Sequence, residues 1–186
     1  MKNIMKIQAE YGKDSKVFAG DLDKTVADVV KLLRERSFSV ATAESLTGGL
    51  LSERITSVAG ASQVFELGIC TYSDRMKRDM LAVPPEILQR YGAVSRETAC
   101  AMAHGLSVRS GAALSLAVTG IAGPGGGSDA QPVGTVYAGF AFQEQVAATL
   151  LRLWELPELD REGIRHYTAK CVFCIAKQLL EAEYIR

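Results

Sequence analysis

"ATAESLTGGLLSERI", residues 41–55, decides how this chain is to be read. Small, strand-like residues run up to Glu44 and Ser45, two glycines follow at Gly48 and Gly49, and an apolar helical spacing begins around them, near Thr47. A buried strand that gives way to a helix through a glycine turn is the repeating unit of a layered α/β domain, and it leaves the Ser45 hydroxyl at the end of a strand. Three roles compete for that hydroxyl: a helix cap, a ligand for an anion, or a nucleophile. Thr47 competes with it for the cap.

Outward from this stretch the same alternation continues. Before it, "DLDKTVADVVKLLRER" (21–36) places Val26, Val29, Val30 and Leu33 on one helical face, with Asp21 or Asp23 as cap. After it, "VFELGICTYS" (64–73) alternates as a strand, and "DRMKRDML" reads as a helix that ends before Pro84-Pro85. "PEILQRYG" and "SRETACAMAHGLSVRS" follow as helices, the second opened by Ser95, and "AALSLAVTG" (112–120) as a central strand. "VGTVYAGFAF" and "VAATLLRLWE", parted by "QEQ", read as a hairpin, and a last helix spans about Arg161 to Glu183. The expected fold is a single α/β/α layered domain with a mixed, largely parallel sheet and a C-terminal hairpin plus helix.

Composition narrows the function. With 186 residues, 48% of them hydrophobic, the chain can bury one sizeable core. Its 21 basic side chains equal its 21 acidic ones and no like-charged block stands out, which argues against nucleic acid or anionic lipid as partner and favours a polar small molecule. No apolar run approaches the roughly 20 residues of a membrane span, and the N-terminus lacks the apolar core of a signal peptide, so a cytoplasmic protein is expected. Cys70, Cys100, Cys171 and Cys174 lack zinc spacing and are expected as buried, reduced thiols, with no metal and no cofactor.

Two further features bear on chemistry. The loop "GIAGPGGGS" (120–128) fits neither the dinucleotide nor the phosphate-loop glycine spacing; it is either a flexible turn or a nest of N–H groups, from Gly125, Gly126 and Gly127, for an anion. His104 and His166 both fall inside helices, which disfavours a Ser-His-Asp triad. Lys77 is the one lysine between Leu32 and Ala169, and a desolvated lysine can serve as a base where arginine cannot. Its alternative is an ordinary solvated helix lysine.

"TAESLTGG", "TYSDRMK", "GAVS", "VTGIAGPGGG" and "PVGTV", in this order and spacing, resemble the CinA C-terminal domain family over about residues 24–184. The resemblance implies nicotinamide-nucleotide amidase activity: hydrolysis of nicotinamide mononucleotide to nicotinate mononucleotide and ammonia, without a metal. It implies Ser45 as nucleophile and Lys77 as base, with Tyr72 and Thr119 as neighbouring polar groups that relay the proton or orient the amine. Thr47, Gly48, Gly49, Gly123 and Gly125 to Gly127 become substrate-proximal positions, with the Gly48 and Gly49 amides as oxyanion donors, and Arg161 and Arg165 become phosphate contacts. Leu46 stands where the family often has cysteine and Asp74 where it often has asparagine; a carboxylate there would raise the lysine pKa. Residues 5–23 resemble the end of a preceding domain in longer relatives, so 1–23 is expected as an N-terminal extension and 24–186 as the amidohydrolase-like domain. A homo-oligomer is also implied. The competing class is a pyridine-nucleotide or ADP-ribose binding module without turnover.

Overall fold

A computed structural model describes Ile4, Ile7, Gln8 and residues 10–182. Its sheet has six strands: β1 (Glu10–Tyr11), β2 (Val40–Glu44), β3 (Phe65–Cys70), β4 (Leu114–Gly120), β5 (Thr135–Phe142) and β6 (Gln145–Arg152). Their spatial order is β1-β6-β5-β4-β2-β3. β3, β2 and β4 run parallel, the β5–β6 hairpin is antiparallel, and β1 pairs parallel with β6 through Leu150 and Leu151. The expected mixed α/β architecture is what forms. A strand of two residues is too short for a periodic signal, and the pattern gave none for β1.

Six helices cover the sheet: α1 (Leu22–Glu35), α2 (Leu50–Thr56), α3 (Asp74–Leu81), α4 (Pro85–Tyr91), α5 (Arg96–Ser110) and α6 (Arg161–Ala182). Glu183, the expected end of the last helix, lies outside the described residues. Asp21 caps α1 by accepting the Lys24 amide at 2.7 Å, and Ser73 and Ser95 cap α3 and α5 in the same way. The hairpin turns on Gln143 and Glu144 alone, both at positive φ, and Gln145 belongs to the strand instead of the turn.

The two sheet faces are built differently, and the difference is visible residue by residue. On one face Leu114, Leu116, Val118, Val136, Phe140 and Phe142 are large, and α1 and α6 lie over them. Ile164, Val172, Phe173 and Leu180 of α6 are buried between the sheet and the Val26, Val29, Val30, Leu33 stripe of α1. On the other face the strands show Ala41, Ala43, Ala117 and Ala141, so α5 comes close. A Cβ on Gly139 would stand 2.2 Å from the Ala99 carbonyl oxygen of α5. One on Gly105 would stand 1.8 Å from the Leu81 carbonyl oxygen at the end of α3. Small residues thus set how near α5 approaches the sheet and how near α3 approaches α5.

Because β2, β3 and β4 are parallel, their C-terminal ends share one edge of the sheet, where open α/β folds place ligands. Glu44-Ser45, Thr71-Tyr72 and Thr119-Gly120 all arrive there. A Gly105→Ala substitution tests the close packing of α3. Overpacking at a backbone contact is expected to cost about 1–3 kcal/mol, read as a lowered midpoint of urea unfolding.

Candidate active site

Glu44, the last residue of β2, is fully buried, and its carboxylate turns back over the start of α2. Oε2 accepts the amides of Gly49 at 2.9 Å and Leu51 at 3.0 Å; Oε1 accepts the Ser52 amide at 2.9 Å and the Ser52 hydroxyl at 2.8 Å. These are the orphan donors of the helix N-terminus, so the cap of α2 comes from the strand before it. Neither Ser45 nor Thr47 caps, and the helix begins at Leu50, later than its apolar spacing suggested. Gly68 of β3 leaves room for this packing, since a Cβ there would lie 2.4 Å from Ser52 Oγ. The Ser45 hydroxyl is left free for another partner.

That partner is Lys77. Its Nζ lies 3.4 Å from Ser45 Oγ and donates to the Thr71 carbonyl at 3.1 Å, with the side chain only 1% exposed. A lysine this deep is unusual, and α3 buries it by packing its Lys77 and Leu81 positions toward the sheet. Burial lowers the Lys77 pKa from the usual lysine value, and the nearby Asp74 carboxylate opposes that shift without reversing it. The exposed Cys70 thiol sits beside the same turn, but burial of its sulfur and then the Glu44 charge push its pKa up. The thiolate is disfavoured there, which leaves the serine as the better-supported nucleophile.

Ser45 and Lys77 line a hollow of about 220 Å³ together with Leu46, Tyr72, Asp74, Thr119 and Arg161. Ala93 and Val94 complete one wall. Thr119, 1% exposed, donates its hydroxyl proton to the Ala93 carbonyl at 2.7 Å, which holds that wall in place. Tyr72 is 62% exposed on the rim, and its hydroxyl accepts from Arg161 Nη2 at 3.1 Å. Arg161 also donates to the Gly123 carbonyl at 2.6 Å and borders a second hollow of about 420 Å³ that includes Pro124, Val133 and Arg165. The two hollows share Ala122 and Arg161. A larger apolar groove of about 1130 Å³ lies over α3, α4 and α5, but it holds neither the serine nor the lysine.

The structure therefore brings together Ser45, Lys77, Tyr72, Thr119 and Arg161. The glycine positions behave differently. Gly48 donates its amide to the Ser45 carbonyl at 3.1 Å and Gly49 donates to Glu44, so neither is available for an oxyanion. Thr47 is fully buried, and its side-chain oxygen has no partner among the described residues. Gly125, Gly126 and Gly127 are exposed and border neither hollow, while Gly123 serves through its carbonyl. Arg165 spends its guanidinium on the Thr47 carbonyl. Glu44, Ala93 and Val94 were given no role from the sequence; a carboxylate that ends a strand and precedes the turn lacks the usual capping spacing.

Of the four cysteines only Cys171 is buried, contrary to the expectation for all of them; Cys70 is exposed on the edge strand β3, and all four are free thiols. Among the described residues no cluster of potential metal ligands forms, and no helix is long and apolar enough to cross a membrane. Glu44→Gln tests the cap: an amide cannot accept from four donors, and stability is expected to fall by about 2–3 kcal/mol in urea unfolding.

A profile of the CinA C-terminal domain matches residues 22–180. A relative from Caldanaerobacter subterraneus subsp. tengcongensis, described as competence-damage inducible, is 43% identical over 184 residues, which take in 99% of this chain and 42% of the relative. A CinA-like protein of Akkermansia muciniphila is 52% identical over 137 residues, 74% of this chain and 32% of its own. This chain thus spans less than half the length of these curated relatives. The crystal structure of the competence/damage inducible protein CihA from Agrobacterium tumefaciens superposes with a TM-score of 0.81 at 40% identity, covering 87% of this chain and 97% of that one. With the fold, the strand-edge site and these matches in agreement, the chain belongs to the CinA C-terminal domain family.

Proposed function

We propose that the chain hydrolyses the carboxamide of nicotinamide mononucleotide, giving nicotinate mononucleotide and ammonia. The observation that carries this reading is the buried Lys77 amine 3.4 Å from Ser45 Oγ, with its pKa lowered by burial. An amine whose neutral form is favoured by burial can take the proton of a serine hydroxyl, which is a poor nucleophile without such a base.

The chemistry runs in two halves. Ser45 Oγ attacks the carboxamide carbon as its proton passes to Lys77 Nζ. Collapse of the tetrahedral intermediate breaks the C–N bond, and Lys77 returns the proton to the departing amine, which leaves as ammonia. Water then attacks the acyl ester as Lys77 takes its proton, the ester C–O bond to Ser45 breaks as Lys77 returns that proton to Oγ, and the acid released loses its own proton to solvent to give the carboxylate. The 220 Å³ hollow suits a flat carboxamide ring, and the adjoining 420 Å³ hollow offers space for the rest of the nucleotide. Arg161, on the border of both, uses two of its donors within the protein and keeps others for a phosphate.

Ser45→Ala is expected to abolish ammonia release from nicotinamide mononucleotide while leaving binding measurable by calorimetry. Lys77→Met should be equally inactive yet folded. Turnover of either variant within tenfold of the parent refutes the Ser-Lys mechanism, and a parent protein that binds the nucleotide but releases no ammonia is a binding module.

The pH dependence has a definite sign. Protonated Lys77 cannot accept the serine proton, so kcat/KM rises as pH increases through the Lys77 pKa. Asp74 raises that pKa, so Asp74→Asn should move the rise to lower pH. An unmoved profile, or one moved to higher pH, would mean that another group titrates.

A further inference from the structure

Arg165 lies on the first turns of α6, half-buried, between the second hollow and the nucleophile turn. Its Nε and Nη2 donate to the Thr47 carbonyl oxygen at 3.2 and 2.8 Å. Two donors from one planar guanidinium fix the direction of that carbonyl, and a trans peptide unit carries its N–H pointing the opposite way. The N–H of the Thr47-Gly48 unit is that of Gly48, and it donates to the Ser45 carbonyl at 3.1 Å. The same geometry applies once more: with the Ser45 carbonyl held, the amide of Leu46 must point away from it. Among the described residues the Leu46 amide donates to nothing, and Leu46 lines the hollow that holds Ser45 Oγ and Lys77 Nζ.

We infer that the Leu46 amide is the oxyanion donor of this site and that Arg165 is a positioning residue which aims it, through two successive peptide units, without contact to the reacting carboxamide. The assignment rests on the amidase reading for its chemistry. The amide of the residue after a nucleophilic serine is well placed for the developing negative charge, because it moves with the attacking oxygen. Gly48 and Gly49 cannot take the role, their amides being committed to the Ser45 carbonyl and to Glu44. Gly48 at φ +60° is what lets the chain fold back so that its amide reaches the Ser45 carbonyl. Arg161 and Arg165 thereby separate: Arg161 borders both hollows, whereas Arg165 borders only the second and directs two of its donors to the turn.

A phosphate contact and a positioning residue differ in what they do to a substrate without a phosphate. The experiment compares the parent with Arg165→Met and Arg165→Lys, the second keeping the charge and most of the stem. Steady-state kinetics are measured on nicotinamide mononucleotide and nicotinamide riboside. In parallel, mass spectrometry follows the rate at which phenylmethylsulfonyl fluoride modifies Ser45: the Oγ–S bond forms, fluoride leaves, and the serine proton passes to Lys77. This reagent is small and uncharged, and its sulfonyl oxygen needs the same donor.

For Arg165→Met, kcat on both substrates and the sulfonylation rate are expected to fall by about tenfold or more, the scale of a misaimed oxyanion donor, with KM within about threefold and the nucleotide-to-riboside ratio of kcat/KM preserved. Arg165→Lys, with one donor in place of a fork, should lose less in the same three readouts. Loss confined to the nucleotide would make Arg165 a phosphate contact and overturn the proposal, as would sulfonylation at the parental rate. Should Arg165→Met fail to fold, Arg165→Lys decides by the same criteria at a temperature below its melting transition. If the parent releases no ammonia, the amidase reading falls on that result alone, while the sulfonylation rates still decide whether Arg165 aims the site.

Discussion

The buried carboxylate of Glu44 is the interaction on which the site depends. It gathers three amides and one hydroxyl from the start of α2, so the helix is tied to the strand that precedes it and the intervening turn has little freedom. Ser52, one of those donors, also meets Thr42 Oγ1 at 2.7 Å, which extends the network back into β2. A serine in the usual capping role would have had its oxygen engaged by α2. With the cap supplied by Glu44, the hydroxyl of Ser45 is available to the lysine. The restraint has a cost: a carboxylate removed from water is tolerated only because every donor around it is used.

The lysine is delivered by a second constraint, the small residues on the α5 side of the sheet. Ala41, Ala43, Ala117 and Gly139 draw α5 inward, and Gly105 then lets the end of α3 rest on α5. α3 is eight residues long and carries Arg75, Arg78 and Asp79 on its outer side, so its attachment relies on the inner Leu81 and Lys77 positions. The Lys77 methylenes contribute to that attachment while its amine is kept dry. Packing and the lowered pKa are therefore the same fact at this position: the contact that anchors the helix also desolvates the amine.

How much of this could be read in the residues varies by element. α1 was legible to within a residue because Val26, Val29, Val30 and Leu33 repeat on one face and Asp21 caps it. The layered fold and the hairpin followed from alternation of type and from short polar connections. Ser45 and Lys77 could be named from a five-motif resemblance, and their adjacency depends on a crossover that no local pattern encodes. The helix start after Ser45 was misplaced because glycines at positive φ carry the turn farther than periodicity implies. Arg165 was the hardest to place: the resemblance suggested a phosphate contact, and the structure sets two of its donors on the Thr47 carbonyl.

One consequence of the site's layout lies in its spread along the chain. Lys77 reaches Ser45 across 32 positions and Arg165 reaches Thr47 across 118. Contacts this distant require long loops to close, an entropic cost that neighbouring residues do not carry. A partly folded chain carries Ser45 without the Lys77 amine beside it and Thr47 without the Arg165 guanidinium on its carbonyl. The pairing is thus a property of the completed topology, and before it forms Ser45 is a hydroxyl with no amine against it.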